Sequence, residues 1–385
     1  MFNALFPISE YWSWLSFFLY LTVGYIVCKC CKYGAISKAR NSIDNSAHYR
    51  INAHMWYVLG YILLVLFSTV RSFEVGPDTR AYVYMFQNQT SIRFSLDKLL
   101  TFNQYEPGFQ YFNYFVRQIT DNYHIYFLIV YSFVAYAYIK YIKRFYDENS
   151  NYIFIYLFIF YYFLNLSGIR GSIGVGFLLL SFIKLEDKKI IHAILLTILA
   201  ATFHYTMIYN LYIIAVIYVL NNKKMDDKKW IWLVAVIIVT YISTARLSAL
   251  TGMFSDTKYG NYSSVSLQDK SLLGSVFYLL SALICFYCYK ELSKKEHKHN
   301  RQFIISLAFL ITYPVLYVTS AYRIPNYYIM PRLTIWDDSL QIISEKTKIN
   351  YGVLKLVAKI IVLLYLLFRF TRTAVDGHFI YIIDI

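Results

Sequence analysis

The sequence predicts an all-α polytopic membrane protein with about 11–12 transmembrane helices and an extracytoplasmic loop that bears short amphipathic helices. Three observations predict it. The 385 residues are 58% hydrophobic with a mean hydropathy of +0.44, where soluble domains are about 45–50% apolar. Charged residues make up only 15% and stand in short clusters between long apolar runs, as loops between membrane helices do. The net charge of +15 comes from basic residues that flank those runs and form no domain of their own. It fits loop asymmetry and attraction to anionic lipid heads, so the lipid bilayer is an expected partner and nucleic acid is not. The 41 tyrosines and 30 phenylalanines exceed what interfacial belts need and read as compositional bias, so a single tyrosine carries little weight.

In chain order, the first span is 12–31, preceded by Glu10 and no basic segment, and it reads as a retained helix. A basic loop, 32–54, leads to a second span, 55–72. The longest non-apolar stretch follows, 73–123, carrying Arg71 at its edge and Glu74, Asp78, Arg80, Glu106 and Arg117 within it. Spans three to five are 125–141, 152–166 and 172–184. The stretch 190–220 is apolar apart from His192, His204 and Asn210. It is too long for one helix across ~30 Å of hydrocarbon and short for two. Both its ends are lysine-rich, which requires a helical hairpin with His204 near the tip. Further spans are 230–247, 271–289, 303–320 and 354–370. The segment 326–343 is a weak amphipathic candidate containing Pro331, Arg332, Asp337 and Asp338, which leaves the side of the C-terminus open. The whole chain, 1–385, reads as a single integral membrane domain.

The net-positive loops 32–54, 140–150, 184–189, 221–229 and 290–301 alternate consistently and are assigned to the cytoplasm. The opposite face then holds 73–123, 168–171, His204, 248–270 and Arg323. Cys28, Cys30, Cys31, Cys285 and Cys288 read as reduced thiols acting as small apolar residues rather than as a metal site. No metal or other cofactor is expected, because zinc-ligand spacing and a Walker A loop are both missing from the sequence.

Ionisable groups at membrane depth are costly and point to function. Arg170 stands among Gly168, Gly171, Gly174 and Gly176, where a helix start would add free N–H groups and a positive dipole end to a planar phosphate-binding guanidinium. The bland alternative is small-residue helix packing with a snorkelling arginine. His204, beside Tyr205 and Thr206, fits a base, a phosphate contact or a satisfied interior histidine. Asp78, in Gly76-Pro77-Asp78-Thr79-Arg80-Ala81-Tyr82, suits a helix N-cap whose carboxylate takes backbone N–H groups. It also fits a sugar ligand or general base, with Tyr82 four residues on along the same face. Glu106, in Tyr105-Glu106-Pro107-Gly108-Phe109, precedes an aromatic amphipathic segment, 109–116. It reads either as a solvated anchor residue or as a second carboxylate of an acid/base pair. Arg323, with Tyr322 and Tyr327 nearby, gives a second arginine for a diphosphate clamp, and Arg332 is a third candidate.

The ordered set Gly76-Pro-Asp78-Thr-Arg80-Ala-Tyr82, Tyr105-Glu106-Pro-Gly108-Phe109, Asn165-x-x-x-x-Arg170-Gly171, Phe203-His204 and Arg323-x-x-x-Tyr327 resembles the EpsG/Wzy-like family of polysaccharide polymerases over roughly 20–345. The resemblance implies a GT-C-like membrane glycosyltransferase of the bacterial cytoplasmic membrane, with its active site facing the exterior. Its implied substrate is an undecaprenyl-diphosphate-linked oligosaccharide, and a chain-length regulator is an implied partner. Arg170, Arg323 and Arg80 would hold the departing diphosphate. Asp78, Glu106 or His204 would orient or deprotonate the acceptor hydroxyl, and Tyr82, Asn165 and Tyr327 would contact substrate. A lipid-linked oligosaccharide flippase is the rival from another class. It would show internal repeats and charges along several helices, whereas no repeat is evident and the charges gather at one face. A single-sugar polyprenyl-phosphate transferase is not separated from a polymerase by these residues.

Overall fold

The computed structural model describes residues 14–44, 47–92, 95, 105–221, 272–294, 297–318 and 327–374. Among these residues the regular structure is helical, and the protein is an all-α polytopic membrane protein. Its helices are α1 Trp14–Asp44, α2 Ala47–Thr69, α3 Thr79–Gln87, α4 Pro107–Ile119, α5 Tyr123–Phe145, α6 Tyr152–Leu164, α7 Ile169–Glu186, α8 Ile190–Phe203, α9 Tyr209–Asn221, α10 Leu272–Tyr287, α11 Tyr289–Leu292, α12 Asn300–Val318, α13 Ile329–Thr347 and α14 Tyr351–Ala374. Within the described residues, Leu15–Asp44, Ala47–Thr69, Tyr123–Phe145 and Tyr351–Phe368 are long and apolar enough to cross a membrane. The expected span 230–247, the loop 248–270 and Arg323 lie outside the described residues.

Most of the basic loop expected at 32–54 is helix. The α1 helix continues to Asp44 and α2 starts at Ala47. Apolarity ends near Cys31, but 32–44 holds no proline and is rich in Lys, Arg and Ala, which favour helix. Hydropathy therefore marked where the lipid-compatible part stops, not where the helix stops.

The chain forms two compact units. The first comprises Met1–Ile92, Phe109–Leu180 and Lys348–Ile385, and the second Arg93–Gly108 and Ser181–Thr347. In the first, α1 packs along α2, α2 against α5, and α1 against α6. Glycine and aromatic side chains set these approaches. A Cβ on Gly34 would lie 2.8 Å from the Tyr57 ring, and one on Gly24 would lie 3.3 Å from Tyr156 and Phe163. Small residues let membrane helices approach closely where no hydrophobic force drives them together. Tyr20, Phe67 and Phe163 form a ring cluster with centroids 5.1–5.3 Å apart. The α6 helix is apolar on all faces and largely buried, as a central helix must be. By contrast α14 exposes Leu356, Val357, Ile360, Leu363 and Leu364. An apolar face of that size fits a bilayer rather than water.

One buried cation organises the turn after α2. Arg71 is fully buried. Its guanidinium donates to the Val75 carbonyl at 2.7 Å, the Leu166 carbonyl at 2.7 Å and the Tyr131 hydroxyl at 2.7 Å. It also lies over the Phe127 ring at 4.6 Å. A buried charge is tolerated only with such partners. They tie turn 71–79 to the turn before α7. Gly76 completes the join. Its φ is +93°, and a Cβ there would stand 2.6 Å from the Ser167 Cβ and 3.0 Å from its Cα.

In the second unit α12 packs on α13, α9 on α12, and α10 on α13. Asn210 crosslinks it, donating to Ser181 Oγ at 3.2 Å and Thr197 Oγ1 at 2.8 Å. Tyr328 stacks on Phe309 with centroids 5.4 Å apart. The α13 helix buries Arg332, Asp337 and Asp338, so its polar residues face protein. Asp338 accepts from His299 Nδ1 at 2.6 Å, and Arg332 lies over the Phe309 ring at 4.9 Å. An amphipathic reading of 326–343 missed this because a helix enclosed by protein can carry polar residues on several faces.

Gly76→Ala meets both a left-handed backbone and the Ser167 backbone. The substitution is expected to cost about 2–4 kcal/mol, read as a clear fall in melting temperature of the detergent-solubilised protein. An unchanged melt would show that the turn does not depend on this contact.

Candidate functional site

The candidate residues fall into two groups, one in each unit. In the second unit, Glu106, His204 and Tyr327 form one chain of contacts. The α8 helix ends at Phe203, and His204 takes an extended backbone (φ −153°, ψ 109°) before a single 3-10 turn, Tyr205–Ile208. This break releases the Tyr205 N–H from the helix ladder, and it donates to Glu106 Oε1 at 3.3 Å. The same carboxylate oxygen lies 3.5 Å from His204 Nδ1. The other imidazole nitrogen, Nε2, is 2.9 Å from the Tyr327 hydroxyl. Thr206 Oγ1 donates to that hydroxyl at 3.4 Å.

Burial decides what this chain is. Glu106 is 0% exposed and His204 13%, so the carboxylate is not the solvated anchor that the sequence also allowed. A buried carboxylate needs donors, and Tyr205 N–H and the imidazole face it. In the tautomer that carries its proton on Nδ1, toward the carboxylate, Nε2 accepts from the Tyr327 hydroxyl. This is the arrangement of a general base oriented by an acid. Gly108 sets the distance. A Cβ at Gly108 would stand 2.8 Å from Thr202 Cβ and 2.9 Å from the Thr202 carbonyl, so only glycine lets the Glu106 turn lie against the end of α8.

In the first unit, Arg170 is the second residue of α7 and is half-buried. The turn before it is fixed from several directions. Asn165 caps α6, with its Nδ2 donating to the Tyr138 hydroxyl at 3.1 Å. Ser172 Oγ donates to the Asn165 carbonyl. Ser167 Oγ accepts from the Asp78 N–H at 3.1 Å. Close backbone approach was expected of the glycines around Arg170, but Gly176 lies against a ring, where a Cβ would meet the Phe133 side chain at 2.8 Å. At Gly168 and Gly171 a Cβ would meet nothing within 4 Å among the described residues. These two glycines therefore leave open space beside Arg170 and bring no backbone close to it.

Asp78 occupies the N-cap position of α3, but its carboxylate makes no cap hydrogen bond. Its φ/ψ of −93°/−15° is helical, whereas a capping side chain needs an extended cap residue. The side chain is exposed instead. Tyr82, half-buried, meets Phe109 edge to face at 5.6 Å. Arg80 forms an exposed ion pair with Glu74 at 4.0 Å, a contact of small energetic weight. Asp78 lies in the first unit and Glu106 in the second. Arg71 was passed over as one more loop charge. Its signal was position, since an arginine two residues past an apolar helix end has little water to reach. Among the described residues no group of three or more His, Cys, Asp or Glu side chains could hold a metal ion.

A family model, that of the EpsG family, matches residues 54–382. No curated protein and no solved structure matches. The matched stretch takes in the Arg71 clamp, the Asp78 and Glu106 turns, the start of α7 and the His204 break, and with this extent of match the chain belongs to the EpsG family.

Proposed function

We propose that this protein is a membrane glycosyltransferase that polymerises oligosaccharide units carried on a polyprenyl diphosphate, in the biosynthesis of a surface polysaccharide. Family membership supports polysaccharide polymerisation. The observation that carries the catalytic reading is the buried Glu106–His204–Tyr327 chain. An acceptor sugar hydroxyl displaces Tyr327 from His204 Nε2 and gives its proton to the imidazole. Glu106 steadies the imidazolium that forms. The acceptor oxygen bonds to the anomeric carbon of the donor chain, and the bond from that carbon to the diphosphate oxygen breaks. The electron pair leaves with the diphosphate.

The developing negative charge on the leaving group is the main electrostatic problem of the step. Arg170, at the start of α7 with open space at Gly168 and Gly171, supplies a planar guanidinium and a helix N-terminus for it. Arg323 is its proposed second arm and Arg80 a third. Asp78, Tyr82 and Asn165 are assigned to the sugar side. The proposed setting is the cytoplasmic membrane of a bacterium, with the reaction at the outer face, undecaprenyl diphosphate as carrier and a chain-length regulator as partner.

Two predictions follow from these roles. In polymerisation with purified lipid-linked repeat units, Arg170→Gln is expected to lower turnover about 10²–10³-fold, with single repeat units still exported in cells. Normal chain length would remove Arg170 from the clamp, and loss of exported units would favour a flippase. His204→Gln is expected to lower turnover about 10²–10⁴-fold. Glu106→Gln should fall in the same direction, while Tyr327→Phe, which leaves Nε2 free, should retain most activity. Equal loss in all three variants would show that Tyr327 is not displaced and that the base is misassigned.

A further inference from the structure

A second polar site lies in the first unit, away from the residues discussed so far. Lys38 and Asn41 of α1, Arg50, Ile51 and His54 of α2, and Lys143 of α5 line a cavity of about 400 Å³. That volume lies within the ~300–1,000 Å³ typical of small-molecule sites. The lining holds three permanent positive charges and a histidine, and no carboxylate. Asp44, the acid nearest in sequence, ends α1 outside the lining. Among the described residues, no salt bridge engages Lys38, Arg50 or Lys143. Lys38 Nζ donates to the Lys143 carbonyl at 3.3 Å, and Lys143 Nζ lies 5.5 Å from the Tyr57 ring.

The depth of the cavity says what fills it. The α1 helix has 31 residues, about 46 Å at 1.5 Å per residue, against ~30 Å of hydrocarbon. Its basic end therefore projects into the headgroup layer. On the same two helices that supply most of the lining, Tyr33 and Trp56 pair at 5.1 Å, as aromatic residues do at a membrane interface. From the cavity wall an apolar stripe runs along α2. Ile51, Met55, Leu59, Ile62 and Leu66 are 42–59% exposed, and their spacing of four, four, three and four keeps them on one face. A phosphate in the cavity would thus have its acyl chains on an apolar track that begins at Ile51. A free phosphate would leave that track unused.

We infer that this cavity binds the anionic headgroup of a glycerophospholipid, with the acyl chains laid along the Ile51–Leu66 face of α2. By the charge balance of the loops this is the cytoplasmic face, which carries the anionic lipids that attract basic segments.

The test is native mass spectrometry of the full chain released from detergent with phosphatidylglycerol, with phosphatidylcholine or with inorganic phosphate. Wild type should retain phosphatidylglycerol in clear preference to phosphatidylcholine. Arg50→Gln and Lys143→Gln, both at exposed positions, should each reduce that preference about fivefold, with lipid-free melting temperatures unchanged. Ile51→Ser/Met55→Ser should reduce phosphatidylglycerol retention while leaving the basic lining intact. Equal retention of the two lipids, or a preference that survives both charge substitutions, overturns the site. Displacement of phosphatidylglycerol by millimolar inorganic phosphate, with no effect of Ile51→Ser/Met55→Ser, shows a free-phosphate site and overturns the lipid assignment.

Discussion

The guanidinium of Arg71 is the constraint on which the first unit's candidate site depends. It has no carboxylate partner among the described residues and is held by two carbonyls, a tyrosine hydroxyl and an aromatic face. Arginine suits this position because its donors are fixed in a plane and it stays charged when buried. A lysine would present one point charge and could not reach Val75 and Leu166 from opposite edges. Through these bonds the position of Asp78, three residues past Val75, and that of Arg170, four past Leu166, derive from one side chain. The unit therefore holds these polar turns by a buried cation rather than by apolar packing, which short turns can scarcely supply.

The second unit solves the same problem with glycine. The turn bearing Glu106 and the chain bearing His204 touch where Gly108 meets Thr202. Gly76 and Ser167 make the equivalent approach in the first unit. In both, a Gly next to Pro in a polar turn lies against the residue two or three places before a candidate side chain: Ser167 before Arg170, Thr202 before His204. The two motifs Gly-Pro-Asp and Glu-Pro-Gly thus have a common physical reason. Proline fixes the turn, and the absent Cβ lets backbone approach backbone.

Much of the fold was legible because hydropathy and charge speak directly to lipid. The spans now seen as α5, α6, α7 and α12 were found within a few residues, and the break at His204 was implied by the length of 190–220. What sequence could not give were contacts set by tertiary placement. Arg71 and Arg80 both border the polar stretch after α2, and only the closeness of Arg71 to the apolar helix end hints that one is fully buried while the other lies exposed beside Glu74. Glu106 looked as solvated as Asp78 because both stand in polar turns before a helix. The α1 extension to Asp44 was missed because a loop was inferred from charge, and Lys and Arg favour helix as readily as they favour water.

The contrast between Asp78 and Glu106 bears on which carboxylate shares in proton transfer. Asp78 is exposed and hydrated, and its carboxylate engages no backbone cap. A hydrated carboxylate must shed water before it can act on a sugar hydroxyl, and its field is screened by solvent. Glu106 has already left water, with Tyr205 N–H and His204 in its place. Its Oε1 lies 3.5 Å from His204 Nδ1 with the carboxylate out of solvent. A base must gain a proton during the step without reorganising its surroundings. In the proposed reaction the buried pair would meet that requirement, and the exposed carboxylate would hydrogen-bond a sugar that brings its own desolvated surface.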